Sequence, residues 1–596
     1  MKKHNVFLII FLLLGIISCK EDLGVKIDGS YGDDLTWSLP DKAEGVLIEA
    51  YSGIMLVPDG WSGSNFLDVA TDNAVTNDFT SGLYKLTAGG ITAQSNPIGS
   101  WSTDYAQFQN IHLFLENGLG ANIKYDLYDP NIDASKRKRL KGEAYFLRAW
   151  WGFDLLQKFG GLTDDGKALG YPIVLKSLDN ADLSTANNMA RNTYEECVAQ
   201  IAADCDTAIK YLPNIYTGTD GIIGAAQIGR ASGRAAYALK SRLYTYAASP
   251  AYQPTGISAT EITNKWIRAV QASQNAITNG VLGSFTGLVA ANLSGSTLQA
   301  ATPDEFLFRT WRNDHAMETR QFPPYFYGQG KTNPSQNLVD AFPMLVNGFP
   351  ITDPRSGYNP QNPYINRDKR LDLTVYYQGS IFNTTRPLEI AINQAGEPGR
   401  EAPGYEYRNT RTGYYVRKWL SVKANLLMDP VTLAAVNDFH QYALLRRAEV
   451  YFNLAETLNE AAGATGTVTG SALTAVSIMN TVRAAAGITS TVYVNEVAAQ
   501  GKDAFRKLIM NERRIEFAFE NMRYFDLRRW LLPLNESVNG VQITQTASGL
   551  VYKGSNPAEP ALVVEKRLLD NVKYYYSPIP YDEIVKNPAL AQNKGW

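Results

Sequence analysis

The stretch that most restricts the fold is GRASGRAAYALKSRLYTYAASP, residues 229–250. Ala231, Ala235, Ala238, Leu239 and Tyr246 recur at the spacing of one helix face. That face is dominated by small side chains, which let helices approach closely, so the segment predicts a helix set among other helices; Pro250 ends it. KRLKGEAYFLRAWWGFDLLQKFGG, residues 138–161, carries the same periodicity in Leu140, Ala144, Leu147, Trp151 and Leu155, and stops at Gly160-Gly161. Further helices are expected at about 103–117, 192–212, 261–279, 441–462, 472–486 and 502–530. Repeated helices of this length suggest stacked hairpins of tetratricopeptide type, although no clean repeat of about 34 residues is visible.

Between about 281 and 440 the texture changes to Pro, Gly, Asn and aromatics, which cannot form a helix stack; residues 57–101 are similar. A loop block this long inside a compact chain is usually functional. The expected fold class is mainly α: tetratricopeptide-like helical hairpins forming a scaffold, with long irregular loop-rich regions and little β. No Pro/Ser linker or charge block divides the chain, which predicts a single domain over 36–596. The helical scaffold would cover about 36–280 and 441–596, and the loop-rich block about 281–440.

The N-terminus has Lys2 and Lys3, an apolar run from Val6 to Ile17, then Ser18-Cys19, the layout of a secretory signal. The run is too short to span a bilayer, which needs about 20 residues. Ile16-Ile17-Ser18-Cys19 resembles a bacterial lipobox, so residues 1–18 are expected to be removed. Cys19 would then be the lipid attachment point and residues 19–35 a tether. The other cysteines, Cys197 and Cys205, lie eight apart on an expected helix, about 12 Å at 1.5 Å per residue. That exceeds the roughly 7 Å limit for a disulfide, so both read as inert core thiols.

Net charge is −2 at pH 7, which leaves no electrostatic footprint for nucleic acid. The run Lys136–Arg139 reads as a solvated helix end. His4, His112, His315 and His440 are scattered without metal-ligand spacing, so no metal or cofactor is expected. Asp164-Asp165-Gly166 lacks the spaced oxygens of a calcium loop and reads as a turn.

The feature closest to catalysis is Glu512, Glu516 and Glu520, spaced four apart as if on one helix face. Glycosidases use paired carboxylates, one kept neutral by an apolar setting. Here Arg513, Arg514, Arg523, Arg528 and Arg529 crowd the same stretch, and cations favour the charged carboxylate. Structural ion pairs among Arg513, Arg514, Glu516, Glu520 and Arg523 are expected instead. Arg446, Arg447, Glu449, Glu456 and Glu460 would supply more of the lattice. No G-x-S-x-G nucleophile elbow and no Gly-rich phosphate loop after a strand is present.

Six phrases together resemble one family. They are GEAYFLRAWWGFDLLQKFGG, GRASGRAAYALKSRLYTYAASP, NPSQNLVDAF with NPYINRDKR, RRAEVYFNLAETLNEA, NERRIEFAFENMRYFDLRRW and the terminal SPIPYDEIVKNPALAQNKGW. In the family's order from about residue 142 to the C-terminus, they are similar to signatures of the SusD/RagB family of outer-membrane nutrient-uptake lipoproteins. Lys20-Glu21-Asp22 similarly resembles the surface-export signal of Bacteroidetes lipoproteins. The resemblance implies a helical scaffold with irregular loops. It also implies a cell-surface, lipid-anchored protein that captures oligo- or polysaccharide and delivers it to a SusC-like TonB-dependent transporter, without chemistry of its own. Peptide capture within the same family, a glycoside hydrolase and a ligand-free transporter lid are the alternatives.

Family ligand surfaces come from an early loop region and the middle loop block. Sugars present apolar C–H faces ringed by hydroxyls, so flat rings beside polar groups are sought. The early block offers Trp61, Asp72, Asn73, Phe79, Tyr84 and Trp101; the middle block offers Arg309, Trp311, Arg312, Tyr325 and Tyr327. Trp150, Trp151, Trp266, Trp419 and Trp530 sit in apolar stripes and are expected in the core. The NPYINRD motif (362–368) reads as structural, its polar side chains bonding loop backbone.

Overall fold

The structure, a computed structural model, describes residues 33–596 apart from 180, 282–283, 292–303, 311–315, 382–386, 422–423, 425, 427–437 and 439. The signal segment, Cys19 and most of the expected tether therefore lie outside the described residues.

Several helices begin where the sequence supplies a cap or a first-turn proline. α1 (Pro40–Ser52) has proline in its first turn, and α2 (Trp101–Leu113) runs on into a π-turn at Phe114–Gly118. α3 (Pro130–Phe159) starts on Asp129, whose carboxylate accepts from the Asn131 amide, and ends at Gly160. α4 (Tyr194–Tyr211) opens with the capping box Thr193/Glu196, α5 (Gly233–Ala248) with Ser232, and α6 (Ala259–Asn275) with the capping box Ser258/Glu261.

Each of these helices packs on the next, and α6 packs on α7 (Arg447–Ala462) across the intervening loop-rich block. From there α7 meets α8 (Ala475–Ala485), α8 meets α9 (Val492–Ala499), and α9 meets α10 (Lys502–Glu516), which returns to α7. Close approach depends on small residues. Ala235, Ala236, Ala238, Ala247 and Ala248 of α5 are buried against α4, α6 and α7. A Cβ on Gly152 of α3 would sit 2.5 Å from the Tyr171 hydroxyl and 3.1 Å from Ile201 of α4. One continuous cluster of buried apolar side chains extends from Ala43 to Leu590.

Short strands tie the loops to this stack. β1 (Ala74–Thr76), β2 (Phe306–Arg309), β3 (Thr332–Pro334) and β4 (Ala443–Arg446) form two antiparallel ladders, β1 with β3 and β2 with β4. Val75 faces Asn333 in the first, and Phe308 faces Leu445 in the second. The early loop block is thereby fixed to the middle block, and the middle block to the start of α7.

Several expectations need correction. The segment 441–462 opens with β4, because its buried residues pair with β2 before the helix starts. α1 and α9 escaped the sequence reading. Beyond Leu531 the expected scaffold gives way to a hairpin of β5 (Gln542–Thr546) and β6 (Gly549–Lys553), to which Ile392–Asn393 adds in parallel. The expected helix at 502–530 is broken: α10 ends at Glu516 and α11 (Arg523–Arg529) follows a turn in which Phe519 and Asn521 take φ of 60° and 64°. Such angles are strained for non-glycine residues, and the turn is held from outside. The Phe519 amide donates to Asp68 (3.1 Å), the Asn521 side chain donates to the Pro58 carbonyl (2.8 Å), and its oxygen accepts from the Leu67 amide (2.8 Å). Lys136–Arg139 is not a solvated helix end. Lys136 and Arg139 pair with Glu44 of α1, and Arg137 donates to the carbonyls of Leu119, Gly120 and Ile123.

Buried ion pairs connect these parts. Arg370 binds Asp368 (2.7 Å), Glu512 (2.6 Å) and Glu516 (3.4 Å). Arg446 binds Glu305 (2.8 Å), Glu516 (3.2 Å) and Glu520 (2.8 Å), and Lys418 adds a second cation to Glu520 (2.6 Å). Arg513 and Arg529 share Asp526 at 2.8 Å each, and Arg514 and Arg523 share Asp72 at 3.0 and 2.8 Å. Removing one partner strands the others in a low-dielectric interior. Arg446→Met is therefore expected to cost about 3–5 kcal/mol of stability, read as a lower urea midpoint. Arg355→Met, at an exposed pair, should leave the midpoint nearly unchanged. Cys197 and Cys205 are free and buried; burial pushes the Cys197 thiol up to about 12 and raises Cys205 as well. In protein from residue 20 onward, neither should react with a thiol reagent at pH 8 until denaturant is added.

Candidate functional site

Loops at 53–62 and 97–103, the C-terminal half of α3, β4 and the turn after α10 enclose a cleft of about 400 Å³, within the range of small-ligand sites. Half-buried Trp61 and Trp150 supply ring surface, and Met55 and Phe525 extend it. Ser62, Ser100, Thr103, Asp154, Gln157 and Lys158 supply polar groups. Trp150, expected in the core, is half-buried and reaches the cleft, its ring stacked on Phe146 at 6.2 Å and edge-on against Phe308 at 5.3 Å.

The polar end is a linked set. The Lys158 ammonium donates to Asp154 (2.6 Å) and to the Ser100 hydroxyl (2.8 Å), and lies 5.8 Å from the Trp61 ring centre. The Ser100 hydroxyl is in turn 3.0 Å from Asp104. Asp104 is fully buried; desolvation, and then the Asp154 charge, push its carboxyl up to about 9. The raised carboxyl beside the Asp154–Lys158 ion pair favours an uncharged acid at this buried end of the set. The Trp61 indole N–H is buried without an acceptor among the described residues. An apolar slot ending in neutral donors and acceptors suits an uncharged, hydroxylated ligand.

A second surface adjoins the first, since the Ser62 hydroxyl accepts from the Gly82 amide at 2.9 Å. The β1–β3 ladder sets loop 77–84 against 324–331, where the Asn77 side-chain amide lies 2.9 Å from the carbonyls of Gln329, Gly330 and Arg408. Phe79, 54% exposed, meets Tyr84 edge-on at 5.1 Å and has the Arg411 guanidinium 4.7 Å from its ring. Arg400 lies 4.8 Å from the Tyr325 ring, and Tyr327, at φ 66°, is 61% exposed. Tyr405 and Tyr407 are also exposed, with Arg408 5.1 Å from the Tyr407 ring. Neither was among the sequence candidates, although GYEYRN (404–409) sets two tyrosines beside an arginine within the loop-rich block. Beneath this face Glu401 accepts from the Tyr415 hydroxyl and the Tyr325 amide, and burial raises its carboxyl to about 7.

The sequence candidates thus separate. Trp61 lines the cleft, and Phe79, Tyr84, Tyr325 and Tyr327 share the aromatic face. Asp72 and Asn73 are corrected to the interior: both are buried, and burial of Asp72 is outweighed by Arg514 and Arg523, which hold its carboxyl well below the usual range. Asn73 accepts from Arg514 (2.7 Å) and donates to Asp68 (2.8 Å). Trp101 is likewise buried, packed on Phe159 at 5.2 Å. Arg309 stands apart on β2. Trp311 and Arg312 lie outside the described residues. The carboxylates once weighed for catalysis are committed elsewhere: Glu512, Glu516 and Glu520 are each paired with buried cations, and Arg370 and Arg483 overcome burial to hold Glu512 below its ordinary value. Asp164-Asp165-Gly166 is a turn, with Gly166 at φ 80°.

A family model described as "SusD family" matches residues 306–596, and one described as "Starch-binding associating with outer membrane" matches residues 52–245. No curated protein sequence matches the chain. Among solved structures, a SusD-like protein from Bacteroides fragilis NCTC 9343 is similar at 24% identity and TM-score 0.69, over 95% of this chain and 99% of that one. A SusD-like carbohydrate binding protein from the same organism is similar at 22% identity and TM-score 0.67, over 93% and 99%. Surface glycan-binding protein A from Bacteroides uniformis is similar at 19% identity and TM-score 0.57, also over 93% and 99%.

Glu401 gives the site a pH signature. Its carboxyl is at about 7 in the folded protein against an ordinary 4.5, so the folded state binds more protons than the unfolded state between those values. Its contribution to stability is therefore lost as pH rises from about 4.5 to 7. Glu401→Gln should flatten the dependence of melting temperature on pH across that window.

Proposed function

The chain belongs to the SusD family, and from that premise we propose that it captures oligo- or polysaccharide at the cell surface and hands it to a SusC-like TonB-dependent transporter. The cleft carries the reading: Trp61 and Trp150 face a neutral polar set built from Ser100, Asp154, Gln157 and Lys158. A sugar ring lays its C–H face on an aromatic plane while its hydroxyls meet such donors and acceptors. The exposed rings of Phe79, Tyr327 and Tyr407 extend the same surface for a longer chain. The names of two structural relatives, a carbohydrate binding protein and a surface glycan-binding protein, favour the same ligand class.

No helix among the described residues is long and apolar enough to cross a membrane. Attachment in this reading rests on acyl chains at Cys19, each buried CH₂ contributing about 0.8 kcal/mol. Binding and handover constitute the whole mechanism. Ser100 lies within 3.2 Å of both Asp104 and Asp154, which sets the two carboxyls side by side rather than across a scissile bond.

The test is titration of protein from residue 20 onward with a polysaccharide panel. The parent should bind at least one glycan without releasing products, and Trp61→Ala or the pair Phe79→Ala/Tyr327→Ala should weaken it about tenfold or more, a loss of roughly 1.4 kcal/mol. Steady product release would replace capture with hydrolysis. A parent that binds peptides and no glycan would overturn the ligand class.

A further inference from the structure

Arg309 and Arg234 form a feature that the glycan surface does not use. Both line a shallow recess between the start of α5 and β2, together with Tyr216, Ser232, Phe306 and Phe308. Other half-buried guanidiniums are met by carboxylates: Arg230, on the same recess, binds Glu44 (2.9 Å) and Glu143 (3.0 Å), and Arg148 binds Asp204 (2.6 Å), while Arg367 spends its donors on three backbone carbonyls. Arg234 and Arg309 have no carboxylate at ion-pair distance among the described residues. Arg309 donates only to the adjacent Thr310 carbonyl (3.0 Å), and its Nε is buried without a partner.

The surrounding charges sharpen the imbalance. Arg447, on α7, adds a third positive field at Arg234, while Asp304 acts on it from beyond contact. Burial and then the Arg234 charge hold the Arg309 guanidinium below its ordinary value. The amides at the start of α5 are already taken: those of Gly233 and Arg234 donate to the carbonyls of Pro213 and Asn214, and that of Ala235 to Ser232. The helix thus adds the positive end of its dipole but no free donors. Two guanidiniums from a helix and a strand line one recess with no carboxylate at ion-pair distance among the described residues to balance them, an arrangement that a multiply accepting anion relieves.

We propose that Arg234 and Arg309 bind a tetrahedral oxyanion, a sulfate or phosphate group, in the recess between α5 and β2. Two guanidiniums on one recess offer enough N–H donors for three or four acceptor oxygens, whereas one fork satisfies a carboxylate. The same chemistry is offered by a free inorganic anion and by a sulfate or phosphate ester on a sugar. The site is separate from the aromatic cleft and holds whether or not that cleft binds glycan.

Sodium sulfate, titrated at constant ionic strength against sodium chloride, is expected to raise the melting temperature of the protein from residue 20 onward in a saturable way. Arg309→Gln and Arg234→Gln should each weaken sulfate binding about tenfold or more. In chloride alone neither variant should melt below the parent, because each relieves repulsion rather than breaking a pair. Glucosamine 6-sulfate competing with sulfate would identify a sugar-borne group as occupant, and sulfate binding without that competition would identify the free anion. A parent that shows no saturable response to sulfate or phosphate, or variants that keep the response in full, would overturn the proposal.

Discussion

The interaction on which most of this structure depends is the buried guanidinium–carboxylate lattice around Glu512, Glu516 and Glu520. A charge moved from water into protein carries a desolvation cost of several kcal/mol, which only close partners offset. Here the partners come from far apart in sequence. Arg370 follows the NPYINRD motif, Arg446 ends β4, Lys418 belongs to the middle block and Arg483 to α8. Each pair couples one part of the chain to α10 or to the turn after it, so the loop-rich block is fixed to the helical stack by charge as well as by packing.

That anchoring explains how irregular loops hold a defined surface. Asp72 is shared by Arg514 and Arg523, which locks the segment leading into β1. β1 pairs with β3, and the loops that leave these two strands carry Phe79 on one side and Tyr325 and Tyr327 on the other. Arg367 acts similarly, donating to the carbonyls of Pro363, Val339 and Phe342. Rings presented on a surface lose little conformational freedom on binding when their backbone is already held.

The cleft has a different origin. α3 is buried around much of its circumference from Arg139 on, but near its end Trp150, Asp154, Gln157 and Lys158 face the cleft, whose other walls include loops. Their neighbours are the Trp61 loop and the turn after α10, and that turn takes its shape from hydrogen bonds to Asp68, Pro58 and Leu67. Polar groups are concentrated where the helical stack fails to cover α3, and the cleft lies there.

What the sequence determined by itself follows from local physics. Helical periodicity, capping residues and small-residue stripes gave α2 to α8 and the mainly α class, because those signals act within a few turns. The density of arginine beside glutamate pointed to ion pairs instead of catalysis, because neighbouring cations favour charged carboxylates whatever the fold. Only the tertiary structure decided exposure and partnership. Asp72 and Trp101 turned inward while Phe79 and Tyr327 stayed out, and Trp150 reached the cleft; these outcomes depend on elements tens to hundreds of residues away. The break after Glu516 was invisible for the same reason, since its left-handed residues are paid for by hydrogen bonds to a loop about 450 positions earlier. Arg309 was legible in sequence only as one more polar candidate beside the aromatic loops, and its place on the recess with Arg234, without a carboxylate at ion-pair distance among the described residues, emerged from the fold.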